Sequence, residues 1–178
     1  MNYITSFLMI SLILICSCNS ENADTSSETS ELDENELTRV SLLIDPAPKT
    51  YQEDQVNKLV QYALDHKWPV HKTNFGLLYW IRDKGNENRA QSDDTVMVRY
   101  KGNLLDGKVF DQSPQSGEPV RFKLSEVIPA WQEALSLIGE DGKITILAHS
   151  DLGYKGQRIG NVIPPYSPLI FEIELLGF

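Results

Sequence analysis

An α+β fold built on an antiparallel sheet is what the sequence predicts. At least five strand-like runs between residues 76 and 176 surround one short helical pattern at residues 129–139. No strand–helix–strand alternation of the kind that makes a parallel sheet is present. Both cysteines of the 178-residue chain, Cys16 and Cys18, lie near its start. The folded part is therefore held by its core, with no disulfide framework or thiolate metal site.

The elements follow in chain order. Residues 1–17 carry no charged side chain, and residues 7–15 are a nine-residue apolar run. Such a run is short of the roughly 20 residues needed to span a bilayer and fits the h-region of a signal peptide. Ser17 directly precedes Cys18, with aliphatic Ile15 three positions ahead of it. This resembles a bacterial lipobox, which implies removal of residues 1–17 as a signal and lipidation of Cys18. Cleavage at Cys16 and plain secretion are the alternatives. The implied location is the cell envelope, lipid-anchored at the outer membrane on its periplasmic or surface side.

Residues 18–48 read as the lipidated cysteine followed by an acidic disordered tether. Residues 19–38 contain seven acids and no base, with too little apolar surface to offset the entropy of ordering. Of the chain's 25 acids and 16 bases this leaves 18 against 16, so the folded part is close to neutral. No basic face with interleaved aromatics is present, which argues against a nucleic-acid partner. Residues 40–48 form a short apolar run ending in Pro46 and Pro48.

Residues 49–75 form a helical extension. Val56, Leu59, Val60, Ala63 and Leu64 repeat at helical spacing, Thr50 and Glu53 make a capping-box pattern, and Pro69 stops the helix. A single stripe of this length favours docking on the following domain and a monomer. Dimerisation through residues 50–67 is the alternative.

Residues 76–82, 95–100, 121–124, 143–148 and 169–176 are rich in branched and aromatic side chains and read as strands. Pro129 can occupy the first position of a helix, and Trp131, Leu135 and Ile138 then share one face through to Gly139.

Four segments carry a joint signal: residues 100–111 with Tyr100, Phe110 and Asp111; residues 127–131 with Val127, Ile128, Pro129 and Trp131; Gly153-Tyr154; and Ile163-Pro164-Pro165. Their order and spacing resemble the FKBP family of peptidyl-prolyl cis-trans isomerases over residues 77–178, making residues 76–178 an FKBP-type domain. The resemblance implies a curved antiparallel sheet wrapped over one short helix. It implies a pocket for the proline of a proline-containing polypeptide, with Trp131 as floor and Tyr100, Phe110, Val120, Val127, Ile128, Ile163 and Phe171 as walls. It further implies that Tyr154 and the Ile128 N–H bind carbonyls of that peptide, while Asp111 faces the twisted carbonyl or holds Tyr100. Tyr100, Asp111 and Tyr154 are the implied catalytic residues. No cofactor or metal is implied, because bond rotation needs neither nucleophile, base nor ion.

The chain departs from the family pattern in places. Ala130 and Ser125 stand where glycines are common, and Val120 stands where many members have a pocket phenylalanine, which would widen one wall. Lys155 follows Tyr154 where glycine is usual, at a cost of order 1 kcal/mol if that position needs positive φ. His66, His71 and His149 read as solvated surface, and no second carboxylate is expected to work with Asp111. Three functions follow: an isomerase for exported proteins, a proline-peptide-binding module of an envelope complex such as a gliding or secretion machinery, or a chaperone acting through the 50–67 helix.

Overall fold

The structure, a computed structural model, describes residues 33–178. The expected signal segment, Cys18 and the first part of the acidic tether lie outside the described residues. The end of that tether is corrected: residues Glu34–Ser41 form helix α1, capped by the Asp33 side chain accepting from the Glu36 N–H. Arg39 pairs with Glu36 and donates to the Val70 carbonyl, and Val40 is fully buried. One docked valine and a capped first turn order a segment whose composition alone reads as unfolded.

Helix α2 (Tyr51–Asp65) begins at the expected capping box. Thr50 Oγ1 accepts the Glu53 N–H, and Glu53 Oε2 accepts the Thr50 N–H. Strands β1 (His71–Lys72) and β2 (Leu78–Asp83) follow, then β3 (Thr95–Asn103), β4 (Val109–Gln112) and β5 (Val120–Lys123). A 3-10 turn at Leu124–Glu126 leads into helix α3 (Pro129–Leu135), which has proline in its first turn as expected. Strand β6 (Lys143–Ala148), a second 3-10 turn (Ser150–Leu152) and β7 (Leu169–Gly177) complete the chain. Helix α3 ends at Leu135, four residues before the expected Gly139. That glycine lies tight against the 86–88 loop, where a Cβ would fall 2.2 Å from the Asn86 carbonyl oxygen.

All pairings in the seven-stranded sheet are antiparallel, in the order β1-β2-β6-β7-β3-β4, with β5 also pairing β3. The nine-residue β3 is long enough to share its outer edge between two strands. Thr95 to Val98 pair with β5, and Lys101 to Asn103 pair with β4. In the gap between them, Ser113 Oγ accepts the Tyr100 N–H and the Tyr100 carbonyl accepts the Ser113 N–H, so the strand that carries Tyr100 has no unpaired edge there. Register shifts in three pairings bend the strands.

Where β2, β6 and β7 run beneath α2 the sheet is buried on both faces, whereas Arg99 and Lys101 of β3 are exposed. On one face, Val96, Val98, Ile144, Ile146, Leu169, Phe171 and Ile173 pack with Ala130, Trp131, Ala134 and Leu135 of α3. On the other, Leu78, Leu147 and Ile170 pack with Val56, Leu59, Val60 and Ala63 of α2 and with Val40. Successive residues of a strand point to opposite faces, so covering both makes β6 buried throughout after its first residue. The apolar stripe of α2 is occupied by the sheet of its own chain, as docking requires.

Leu59 is fully buried between α2 and the sheet. Leu59→Ala is expected to lower unfolding stability by about 2–5 kcal/mol while leaving one cooperative transition. Denaturant unfolding checks this, and a change near zero would mean that α2 is not part of the folding unit.

Candidate active site

Ala130 and Ala134 of α3 are fully buried small residues that let the helix sit close to the sheet, and Trp131 between them is 4% exposed. Three rings meet its indole edge-on: Tyr100 at 5.1 Å and 77°, Phe171 at 5.5 Å and 87°, and Phe122 at 5.6 Å and 85° between centroids and planes. Edge-to-face contacts of this kind are favourable beyond the area they bury. Above the indole is a cleft of about 210 Å³ lined by Tyr100, Asp111, Phe122, Glu126, Val127, Ile128, Trp131, Tyr154 and Phe171. The Trp131 Nε1–H is buried and has no hydrogen-bond partner.

Seven of the sequence-predicted residues therefore meet around one cleft: Tyr100, Asp111, Val127, Ile128, Trp131, Tyr154 and Phe171. Three do not line it. Phe110 lies behind Phe171, edge-on at 5.4 Å, a position that Gly102 permits because a Cβ there would fall 2.6 Å from the Phe110 ring. Ile163 is 3% exposed and packs in the main core. Val120 sits on β5 opposite Val98, away from the lining.

The wall expected to be widened by Val120 is instead closed by Phe122, two residues on and on the same face of β5. That two-residue period was the available signal. Glu126, on the 3-10 turn, is a second carboxylate in the lining of the cleft that holds Asp111, a position the sequence motifs do not mark. His149 is also corrected: it is 6% exposed, with Nε2 3.0 Å from the Phe75 carbonyl oxygen. Among the described residues, no cluster of three His, Cys, Asp or Glu side chains is placed to hold a metal ion.

The polar groups at the cleft have distinct partners. Tyr100 donates its hydroxyl to Asp111 Oδ2 at 2.7 Å, and Asp111 Oδ1 accepts the Gln112 N–H at 2.9 Å. Asp111 thus holds Tyr100 in place, one of the two roles considered for it. Burial, and then the hydrogen bond to Asp111, push the Tyr100 phenol well above its ordinary pKa. Burial and the Asp111 charge also raise that of Tyr154. Both hydroxyls therefore stay protonated as donors at neutral pH. The Tyr154 hydroxyl and the Ile128 N–H donate to no group among the described residues, although both residues line the cleft.

The backbone next to Tyr154 is strained as anticipated: Lys155 has φ +55°. Its N–H donates to the Ser150 carbonyl at 2.8 Å and its carbonyl accepts the Tyr166 N–H at 2.8 Å, so the turn is fixed on both sides. A small, ring-lined cleft with two free donors has room for an apolar ring flanked by hydrogen-bond acceptors.

Comparisons with known proteins agree with the fold. Residues 86–176, just over half the chain, match the family model of the FKBP-type peptidyl-prolyl cis-trans isomerases. A probable FKBP-type peptidyl-prolyl cis-trans isomerase of Haemophilus influenzae is 46% identical over 107 residues, which are 60% of this chain and 44% of that one. Outer membrane protein MIP of Legionella longbeachae is 41% identical over 102 residues, 57% of this chain and 44% of that one. The match thus spans less than half the length of these curated relatives. The crystal structure of a peptidyl-prolyl cis-trans isomerase from Pseudomonas syringae aligns with a TM-score of 0.59 at 32% identity, covering 74% of this chain and 98% of that one.

Two outcomes follow from this geometry. The Lys155 side chain is exposed and its backbone is left-handed, so Lys155→Gly should stabilise the fold by about 0.5–1 kcal/mol, the left-handed cost less the extra entropy a glycine loses. Thermal unfolding reads this, and a loss of stability would contradict it. The raised pKa of Tyr100 makes its stabilising effect complete below the unfolded value of about 10 and lost as pH rises beyond it. Tyr100→Phe should therefore lessen the alkaline fall in unfolding midpoint, with no such difference near neutral pH.

Proposed function

The chain belongs to the family of FKBP-type peptidyl-prolyl cis-trans isomerases, and from that membership we propose that it rotates X-Pro bonds in exported polypeptides. The carrying observation is the buried indole of Trp131, ringed edge-on by Tyr100, Phe122 and Phe171 at the base of a cleft of about 210 Å³.

The barrier to be lowered is about 18–20 kcal/mol and comes from amide resonance. At the half-turn that resonance is lost, and with it part of the charge separation between carbonyl oxygen and nitrogen. A cavity walled by rings solvates the twisted amide better, relative to the planar one, than water does. The pyrrolidine sits on the indole. The Tyr154 hydroxyl and the Ile128 N–H donate to carbonyls on either side of the proline, so that the chain is held while the bond turns. Asp111 keeps Tyr100 upright as a wall. Uncatalysed, such a bond takes tens to hundreds of seconds to turn, slow enough to limit folding.

An envelope location belongs to the same proposal. The apolar run before Cys18 supports it, as does the similarity to a relative named as an outer membrane protein. Anchoring through lipid on Cys18 would place the cleft beside chains newly exported.

The test is relaxation of a short X-Pro peptide from cis to trans, with and without the protein. The wild type should accelerate it. Asp111→Leu, which removes the acceptor for Tyr100, should lower kcat/KM by about 10- to 100-fold, as expected for losing a hydrogen bond to a charged group. Trp131→Ala should abolish both peptide binding and turnover. A wild-type rate equal to the uncatalysed one at high protein concentration would sink the proposal. If the peptide still bound tightly, a binding module would take its place.

A further inference from the structure

We propose that Gln55 of α2 is a positioning residue for this site, acting through Tyr154. The inference rests on the isomerase reading and extends it to a helix outside the matched residues 86–176.

Gln55 lies in the apolar stripe of α2 and is 2% exposed. Its side-chain amide uses both ends. Oε1 accepts the Ser150 N–H at 2.7 Å, and Nε2 donates to the Tyr166 carbonyl at 2.7 Å. Ser150 and Tyr166 bound the segment that carries Tyr154, and they are tied to the residue beside it: Lys155 donates its N–H to the Ser150 carbonyl, and its carbonyl accepts the Tyr166 N–H. Gln55, Ser150, Lys155 and Tyr166 thus close a ring of hydrogen bonds with Tyr154 at its edge. Two neighbours on the same helix reinforce it. Gln52 Nε2 donates to Asp151 Oδ2 at 2.6 Å, and the Tyr51 hydroxyl donates to the Tyr166 carbonyl at 3.2 Å.

Lys155 makes such a clamp necessary. A lysine held at φ +55° favours leaving that conformation, and the turn it occupies sets where the Tyr154 hydroxyl points. A buried amide with one donor and one acceptor engaged on opposite ends of the segment fixes the turn. An apolar side chain in its place would leave the buried Ser150 N–H without a partner and the Tyr166 carbonyl with only the longer bond from Tyr51. The helical extension is thereby part of the site, although it does not touch the substrate.

Gln55→Met keeps the side-chain length and removes both bonds. Measured well below its unfolding temperature, it should lower kcat/KM for an X-Pro tetrapeptide about 10-fold, the scale of a modest misplacement of a contacting group. Tyr154→Phe should lose a similar factor, and the double variant should be no worse than the worse single one, because both changes remove one function. Amide exchange should speed up across residues 150–166 and stay unchanged in β7. Full activity of Gln55→Met, or losses that multiply in the double variant, would overturn the proposal. If Gln55→Met does not fold, Gln52→Ala carries the test: a loss of roughly two- to threefold that vanishes in the Tyr154→Phe background supports the clamp, and an unchanged rate overturns it. If the wild type itself gives no turnover, the isomerase reading fails separately. The clamp is then decided by exchange in residues 150–166 together with calorimetric affinity for the same tetrapeptide, and unchanged values in the variant would overturn it.

Discussion

The placement of one indole governs this molecule. Trp131 belongs to the core by burial and to the cleft by position, and both depend on α3 lying close against the sheet. Ala130 and Ala134, fully buried on either side of it, set that distance. A larger residue at either position would lift the helix, break the edge-on contacts of the three rings and open the floor to water. Packing of the domain and shape of the cleft are thus a single constraint, because the same indole belongs to both.

Burial of β2, β6 and β7 on both faces is the second organising feature. Helix α3 covers one side and the helical extension the other, and strands β6 and β7 contribute alternate residues to each. Rigidity at the cleft follows from this arrangement, since Phe171 on β7 faces Trp131 while the adjacent Ile170 packs under α2. The extension also reaches the 150–166 segment through polar contacts. One helix therefore braces the sheet with its apolar residues and the loop with its glutamines.

Much of this was legible in the sequence. The five principal strands, the proline-initiated helix, the capping box at Thr50 and Glu53 and seven of the residues lining the cleft were readable because each depends on a local pattern or on a motif of fixed spacing. The misses share a physical origin. Helix α1 was hidden because its composition is that of a solvated tether, and only contacts of Val40 and Arg39 with distant residues order it. Strand β1 is only two residues long, too short for a period to register, and the four residues of β4, Val109 to Gln112, lack the apolar–polar alternation that marks the equally short β5. Phe122 was passed over for Val120 because the family pattern, not the strand alternation, chose the position. Glu126, His149 and Gln55 acquire their surroundings only when segments far apart in sequence come together.

The two ends of the sheet differ in character from its middle. Strand β1 offers only His71 and Lys72, both exposed, and β4 only four residues. An extended segment of another chain can add to a long bare rim and polymerise. End strands this brief themselves give such a visitor almost no ladder to join. A polypeptide bound at the cleft, as proposed, would then be held by side chains, which can let go, instead of by a backbone zipper, which does not.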